Sequence, residues 1–87
     1  MLFRKNIQFS RLIKAGAGLK EFNFRKPNSA DEEMYEVDVS DEKGNRISFR
    51  MILNQEQWRL QDGLLPAWIS AAEPFLQEAI GEQEKVL

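Results

Sequence analysis

Apolar and polar residues alternate with period two through the middle of this chain, then switch to a helical period towards the C-terminus. Strict alternation marks half-buried strands. It predicts strands over residues 21–26 (through Phe22 and Phe24), 34–40 (through Tyr35, Val37 and Val39) and 45–53 (through Ile47, Phe49, Met51 and Leu53). Trp58-Arg59-Leu60 adds a shorter fourth. Asp41-Glu42-Lys43-Gly44-Asn45 reads as a hairpin loop, with Gly44 free to take the positive φ that the reversal needs. Asn54 to Gln57 makes the next reversal, and the polar stretch 27–33 is a loop between elements.

Period two also assigns faces. Phe22, Phe24, Tyr35, Val37, Val39, Ile47, Phe49, Met51, Trp58 and Leu60 share one covered face. Asn23, Arg25, Glu36, Asp38, Ser48, Arg50, Arg59 and Gln61 share the wet one, as an antiparallel sheet allows. The cover is a C-terminal helix, whose stripe is Leu65, Trp68, Ile69, Ala72, Phe75, Leu76, Ala79 and Ile80. Pro66 suits the first helical position. Pro74 lacks an amide hydrogen and crowds the preceding turn, which predicts a kink or break near Ala72–Glu73. Residues 82–85 read as a frayed tail. The N-terminal segment fits two patterns. Ile7, Phe9 and Ile13 alternate like a strand, whereas Phe9, Leu12 and Ile13 before Gly16 also fit a short glycine-capped helix. A strand or arm ending in the Ala15-Gly16-Ala17-Gly18 turn is the preferred reading.

The expected architecture is therefore α+β: an antiparallel β-meander of about four strands, five with the N-terminal segment, covered on one face by an amphipathic helix kinked near Pro74. A single domain over residues 1–87 divides into a basic N-terminal arm or strand (1–18), the meander (19–62) and the helix (64–83).

Composition narrows the function classes. A chain of 87 residues makes one domain with a thin core. It has no cysteine or histidine, so disulfides and Cys/His zinc sites are excluded, and the remaining staple is a partner subunit. That favours a homodimer or another protein partner. With 43% apolar and 30% charged residues the composition is globular, and no apolar run is long enough to span a membrane. The start lacks the apolar core of a secretory signal, and a cysteine-free chain fits the cytoplasm. The acid-free residues 1–20 also have the composition of a mitochondrial transit peptide, but they run on into a strand pattern.

Tests for catalysis end in structural readings. Cys–His and Ser–His nucleophiles are ruled out by composition. Ser10 and Lys14 are one turn apart only if that segment is helical. Glu36 and Asp38 project from one strand face, where Arg50, with Arg25 and Arg59, is expected to pair with them. Asp38 to Gly44 resembles a calcium loop but puts Lys43 where glycine belongs and Phe49 where a bidentate glutamate belongs. Lys14 to Lys20 meets neither phosphate-loop spacing and reads as a turn. No catalytic residue, metal ligand or cofactor is assigned.

One feature stands above background. Residues 1–26 carry Arg4, Lys5, Arg11, Lys14, Lys20, Arg25 and Lys26 against Glu21 alone, net +6, while the rest of the chain is net −8, giving −2 overall. Basic residues interleaved with Phe3, Phe9, Phe22 and Phe24 suit single-stranded nucleic acid, the cations meeting phosphates and the rings stacking on bases. The competing reading is internal neutralisation by the acidic strands. The leading functional expectation is a small non-enzymatic interaction domain, acting by protein–protein contact or self-association; the alternative is single-stranded nucleic-acid binding by those seven basic residues.

Arg46-Ile47-Ser48-Phe49 and Leu53-Asn54-Gln55-Glu56-Gln57-Trp58 ahead of a helix resemble the end of the positive-cofactor-4 type of coactivator domain. That family is a four-stranded sheet plus helix, and the resemblance implies dimerisation and single-stranded DNA binding. In the family the Glu-Gln-Trp triplet opens the helix; here Asp62-Gly63 and Pro66 place the helix later, and no functional residue is carried across.

Overall fold

The computed structural model describes residues 7–27, 33–61 and 63–85. Five strands run in chain order across one antiparallel sheet: β1 (Ile7–Ala15), β2 (Gly18–Lys26), β3 (Met34–Ser40), β4 (Arg46–Asn54) and β5 (Gln57–Leu60). Two helices follow, α1 (Ala67–Ala71) and α2 (Glu73–Lys85). The expected α+β meander with a covering helix is what forms, and the N-terminal segment is a full fifth strand. Of the loop expected over 27–33, residues 28–32 lie outside the described residues.

Tight turns set the register. Ala15 pairs with Gly18 around Gly16-Ala17, and Gly16 has φ +67°. The β3–β4 loop is held by Asp41, whose carboxylate accepts hydrogen bonds from the amides of Lys43 (2.9 Å) and Asn45 (2.8 Å), while Gly44 takes φ +85°. The Asn45 amide is the leading cause that keeps the Asp41 carboxyl below its ordinary range. Asn54 pairs with Gln57 around Gln55-Glu56, both at positive φ (52° and 69°). Such a two-residue turn favours Asn-Gly, because other residues meet steric strain there. Glu56→Gly is therefore expected to stabilise the fold by about 1 kcal/mol, the relief of that strain less glycine's extra unfolded-state entropy. A raised thermal midpoint checks this.

The covered face forms as the alternation requires. Phe22, Phe24, Tyr35, Val37, Val39, Phe49, Met51 and Trp58 are buried, with Ile47 and Leu60 partly buried against them. Phe9 stacks on Phe24 with ring centroids 4.5 Å apart, and Tyr35 meets Trp58 edge-on at 5.1 Å. The helix breaks at Ala72, as the amide-less Pro74 requires. Ala72 closes a tight turn onto the Ile69 carbonyl at 3.0 Å, and Leu76 restarts α-type bonding onto Ala72 at 3.0 Å. Ile69, Ala72, Leu76, Ala79 and Ile80 are buried.

Three expectations are corrected. Pro66 caps α1 with an extended ψ of 148°, so the first helical residue is Ala67. Phe75, placed in the apolar stripe, is 54% exposed, because Leu76 on the adjacent position turns to the sheet. Residues 82–85 are helix, anchored by side chains that reach the strands. As the alternation predicts, Gln55-Glu56 form a turn and Trp58 lies in β5, which begins at Gln57, so the coactivator-like run opens a strand here and not a helix.

Candidate functional site

Strand pairing settles where the candidate residues go. Of the seven basic positions, Arg4 and Lys5 lie outside the described residues. Four of the remainder have acidic partners. Arg11 meets Glu82 at 2.8 Å, Lys20 meets Glu42 at 3.1 Å, Arg25 bonds Glu36, and Lys26 meets Glu33 at 2.8 Å and Glu84 at 3.4 Å. Lys14 alone of the described five makes no ion pair among the described residues. Phe22 and Phe24 are sealed in the core, and Phe9 is stacked against Phe24. The charges of Arg11, Lys20, Arg25 and Lys26 are thus met by the acidic body, and Phe22 and Phe24 offer no open face to a base.

The wet face carries two cross-strand rows, Gln8–Arg25–Glu36–Arg50 and Ser10–Asn23–Asp38–Ser48. They line an open trough of about 920 Å³. Ser10 donates to Asn23 (2.7 Å), Asn23 donates to Asp38 (2.9 Å), and Arg46 reaches Asp38 at 3.3 Å. Glu36 first by its hydrogen bond, then by its charge, raises the Arg25 guanidinium above its ordinary value. The carboxylates are ion-paired as expected, but the partners differ. Arg46 takes Asp38, Arg59 turns to Glu73 on α2 at 3.6 Å, and Arg50 sits opposite Glu36 without an ion pair among the described residues. Ser10 and Lys14 lie on a strand, so the helical pair does not form. Among the described residues no group of three or more Asp, Glu, Cys or His side chains could hold a metal ion, and no helix is long and apolar enough to cross a membrane.

Sequence reasoning missed the acidic side chains of α2. Glu73 and Gln77, four apart on one side of the helix, reach over β5. Glu73 accepts from the Leu60 amide at 2.9 Å, and Gln77 donates to the Trp58 carbonyl at 2.7 Å. Further along, Glu84 accepts from the Tyr35 hydroxyl at 2.5 Å and from Lys26 at 3.4 Å. Burial pulls Lys26 down, but Glu33 and Glu84 outweigh it and its pKa is raised; burial and then Glu84 raise Tyr35. Both groups therefore hold their protons more tightly folded than unfolded. That stability is complete below their unfolded values, near pH 10, and is lost as pH rises through the folded ones. Alkaline denaturation setting in above about pH 10 is expected, and Tyr35→Phe should lessen its steepness. A pH series of chemical denaturation midpoints checks this.

The two sheet edges differ. In a two-residue hairpin the pair beside the turn is hydrogen-bonded and alternate residues face outward. On β5 the outward groups belong to Trp58 and Leu60, and α2 takes up two of them, the Leu60 amide and the Trp58 carbonyl. On β1 they belong to Gln8, Ser10, Leu12 and Lys14, and among the described residues nothing hydrogen-bonds to their backbones. This nine-residue edge is flanked by apolar surface. Leu12 and Leu19, diagonal neighbours on the open face, are 67% and 68% exposed. Phe75 lines a groove of about 220 Å³ between β1 and α2, with Leu12, Ile13 and Ala79 as its apolar part and Arg11, Lys14, Glu78 and Glu82 as its charged part. Leu12 was the legible signal, since an apolar residue between Arg11 and Ile13 breaks the alternation of β1. No family model, curated protein or solved structure matches this chain.

Proposed function

We propose that this chain is a non-enzymatic protein-interaction module that accepts an extended strand along β1. The observation that supports the reading is the contrast between its edges among the described residues: β5 is short and capped by Glu73 and Gln77, whereas β1 is long and open, with Leu12, Leu19 and Phe75 exposed beside it. Natural sheets blunt edges that are not for use. A strand added there gains main-chain hydrogen bonds, and its alternate side chains meet the apolar flanks.

The test is selection of displayed random twelve-residue peptides against the chain and against Ser10→Pro, which removes an outward amide and is tolerated at a sheet edge. Binders lost on Ser10→Pro, with amide shifts centred on residues 8–14, are the expected result. Binders indifferent to that change, or none, would overturn the reading. Titration with an unstructured oligonucleotide, followed by Trp58 and Trp68 fluorescence, addresses the alternative. No complex is expected at physiological salt; an affinity falling linearly with log salt would reinstate nucleic-acid binding.

A further inference from the structure

We infer that the strand received by β1 is β1 of a second copy, paired antiparallel about a two-fold axis at Leu12. This rests on the docking-strand reading above and names its partner. The first support is closure. Among the described residues the sheet has one open edge and one edge capped at Trp58 and Leu60, so copies that join edge to edge exhaust the available surface at two. A chain can carry a nine-residue open edge without polymerising on those terms.

Charge is the second support. An acidic strand would find little to read, because Arg11 is already held by Glu82 and Lys14 is the only unpaired cation on the described strand. Register follows from the outward residues. An axis at Arg11 would oppose two guanidiniums directly across the joint, which is unfavourable. An axis at Ser10 would set Leu12 against Gln8. The axis at Leu12 sets Leu12 against Leu12, Ser10 against Lys14 and Arg11 against Ile13. It forms roughly six main-chain hydrogen bonds between the copies. It also gathers Leu12 and Leu19 of both chains into one apolar cluster on the open face, and it lays the two Phe75-lined grooves side by side on the other.

The register makes an unusual demand that charge variants can test. Leu12 is mostly exposed, so Leu12→Lys and Leu12→Glu should both fold. Sedimentation equilibrium should show the unaltered chain as a dimer at micromolar concentration. Each variant alone should dissociate at least about 100-fold more readily, because like charges meet across the axis. An equal mixture of the two should recover a dimer, which native mass spectrometry should identify as one Leu12→Lys chain with one Leu12→Glu chain. A dimer indifferent to both substitutions, or variants that the mixture does not rescue, would overturn the inference. A strictly monomeric chain that still selects strand peptides at β1 would sink the second copy and leave the docking strand standing. A monomer that selects none would sink both.

Discussion

Replacing Leu76 with Ala is expected to cost about 2–5 kcal/mol of folding stability, a large part of the roughly 5–15 kcal/mol available to a small domain. Leu76 is wholly buried, and it is the first residue to resume α-type bonding after the Pro74 break. It lies between the buried Ala72 and the buried Ala79 and Ile80 on the face that α2 turns to the sheet. Small neighbours on the helix leave little to close over the cavity, so the effect belongs in the upper half of that range. Phe75→Ala is the matched control. Its ring is 54% exposed, and its removal should change stability by no more than about 0.5 kcal/mol. Urea midpoints from far-ultraviolet circular dichroism would separate the two. Equal losses would mean that the helix seats its opposite side.

That contrast marks how far periodicity carries. Period two assigned the inward residues of β2, β3, β4 and β5, because each strand alternates cleanly and a one-residue slip would turn its whole apolar set to solvent. Pro74 announced the helix break by its missing donor. The N-terminal strand was harder, because Arg11 occupies an inward position and Leu12 an outward one. There Arg11 keeps partial contact with solvent and meets Glu82, which arrives from α2, 71 residues away. Leu65 to Ile80 fitted one stripe on paper, yet the interruption at Ala72 re-phases the helix and leaves Phe75 outside.

The proposed interaction edge was legible only in part. Leu12 was visible as a flaw in the alternation, but nothing local to β1 says that its outward amides go unmatched. That depends on which strand ends the sheet and on where α2 crosses it. The basic N-terminal third shows the same dependence from the other side. Counted along the chain it is a polycation; folded, Glu33, Glu36, Glu42, Glu82 and Glu84 come to Arg11, Lys20, Arg25 and Lys26 from loops, a strand and a helix. Charge sums cannot distinguish a binding surface from a neutralised one until the pairings are known.

Removing the cover from β5 is expected to turn a self-limiting chain into one that grows. In Glu73→Ala/Gln77→Ala the Leu60 amide loses its acceptor and the Trp58 carbonyl loses its donor. The half-buried Glu73 also leaves Arg59 and the first turn of α2, where a negative charge suits the helix dipole. Together these losses should cost about 2–4 kcal/mol, since one of the two hydrogen bonds is charge-assisted. The larger consequence concerns assembly. With β5 uncapped the sheet has two open edges, and a contact that closed at two copies can now propagate. Light scattering should show mass rising with concentration and time, with no plateau at the dimer. Adding Leu12→Lys blocks the β1 joint and should confine the same protein to small species, which separates growth through edges from aggregation of unfolded chains. Glu73→Gln supplies the remaining control: an amide oxygen can still accept from Leu60, so capping should persist although the charge is gone. A double variant that loses stability yet stays at its original size would show that Glu73 and Gln77 anchor the helix without guarding the edge.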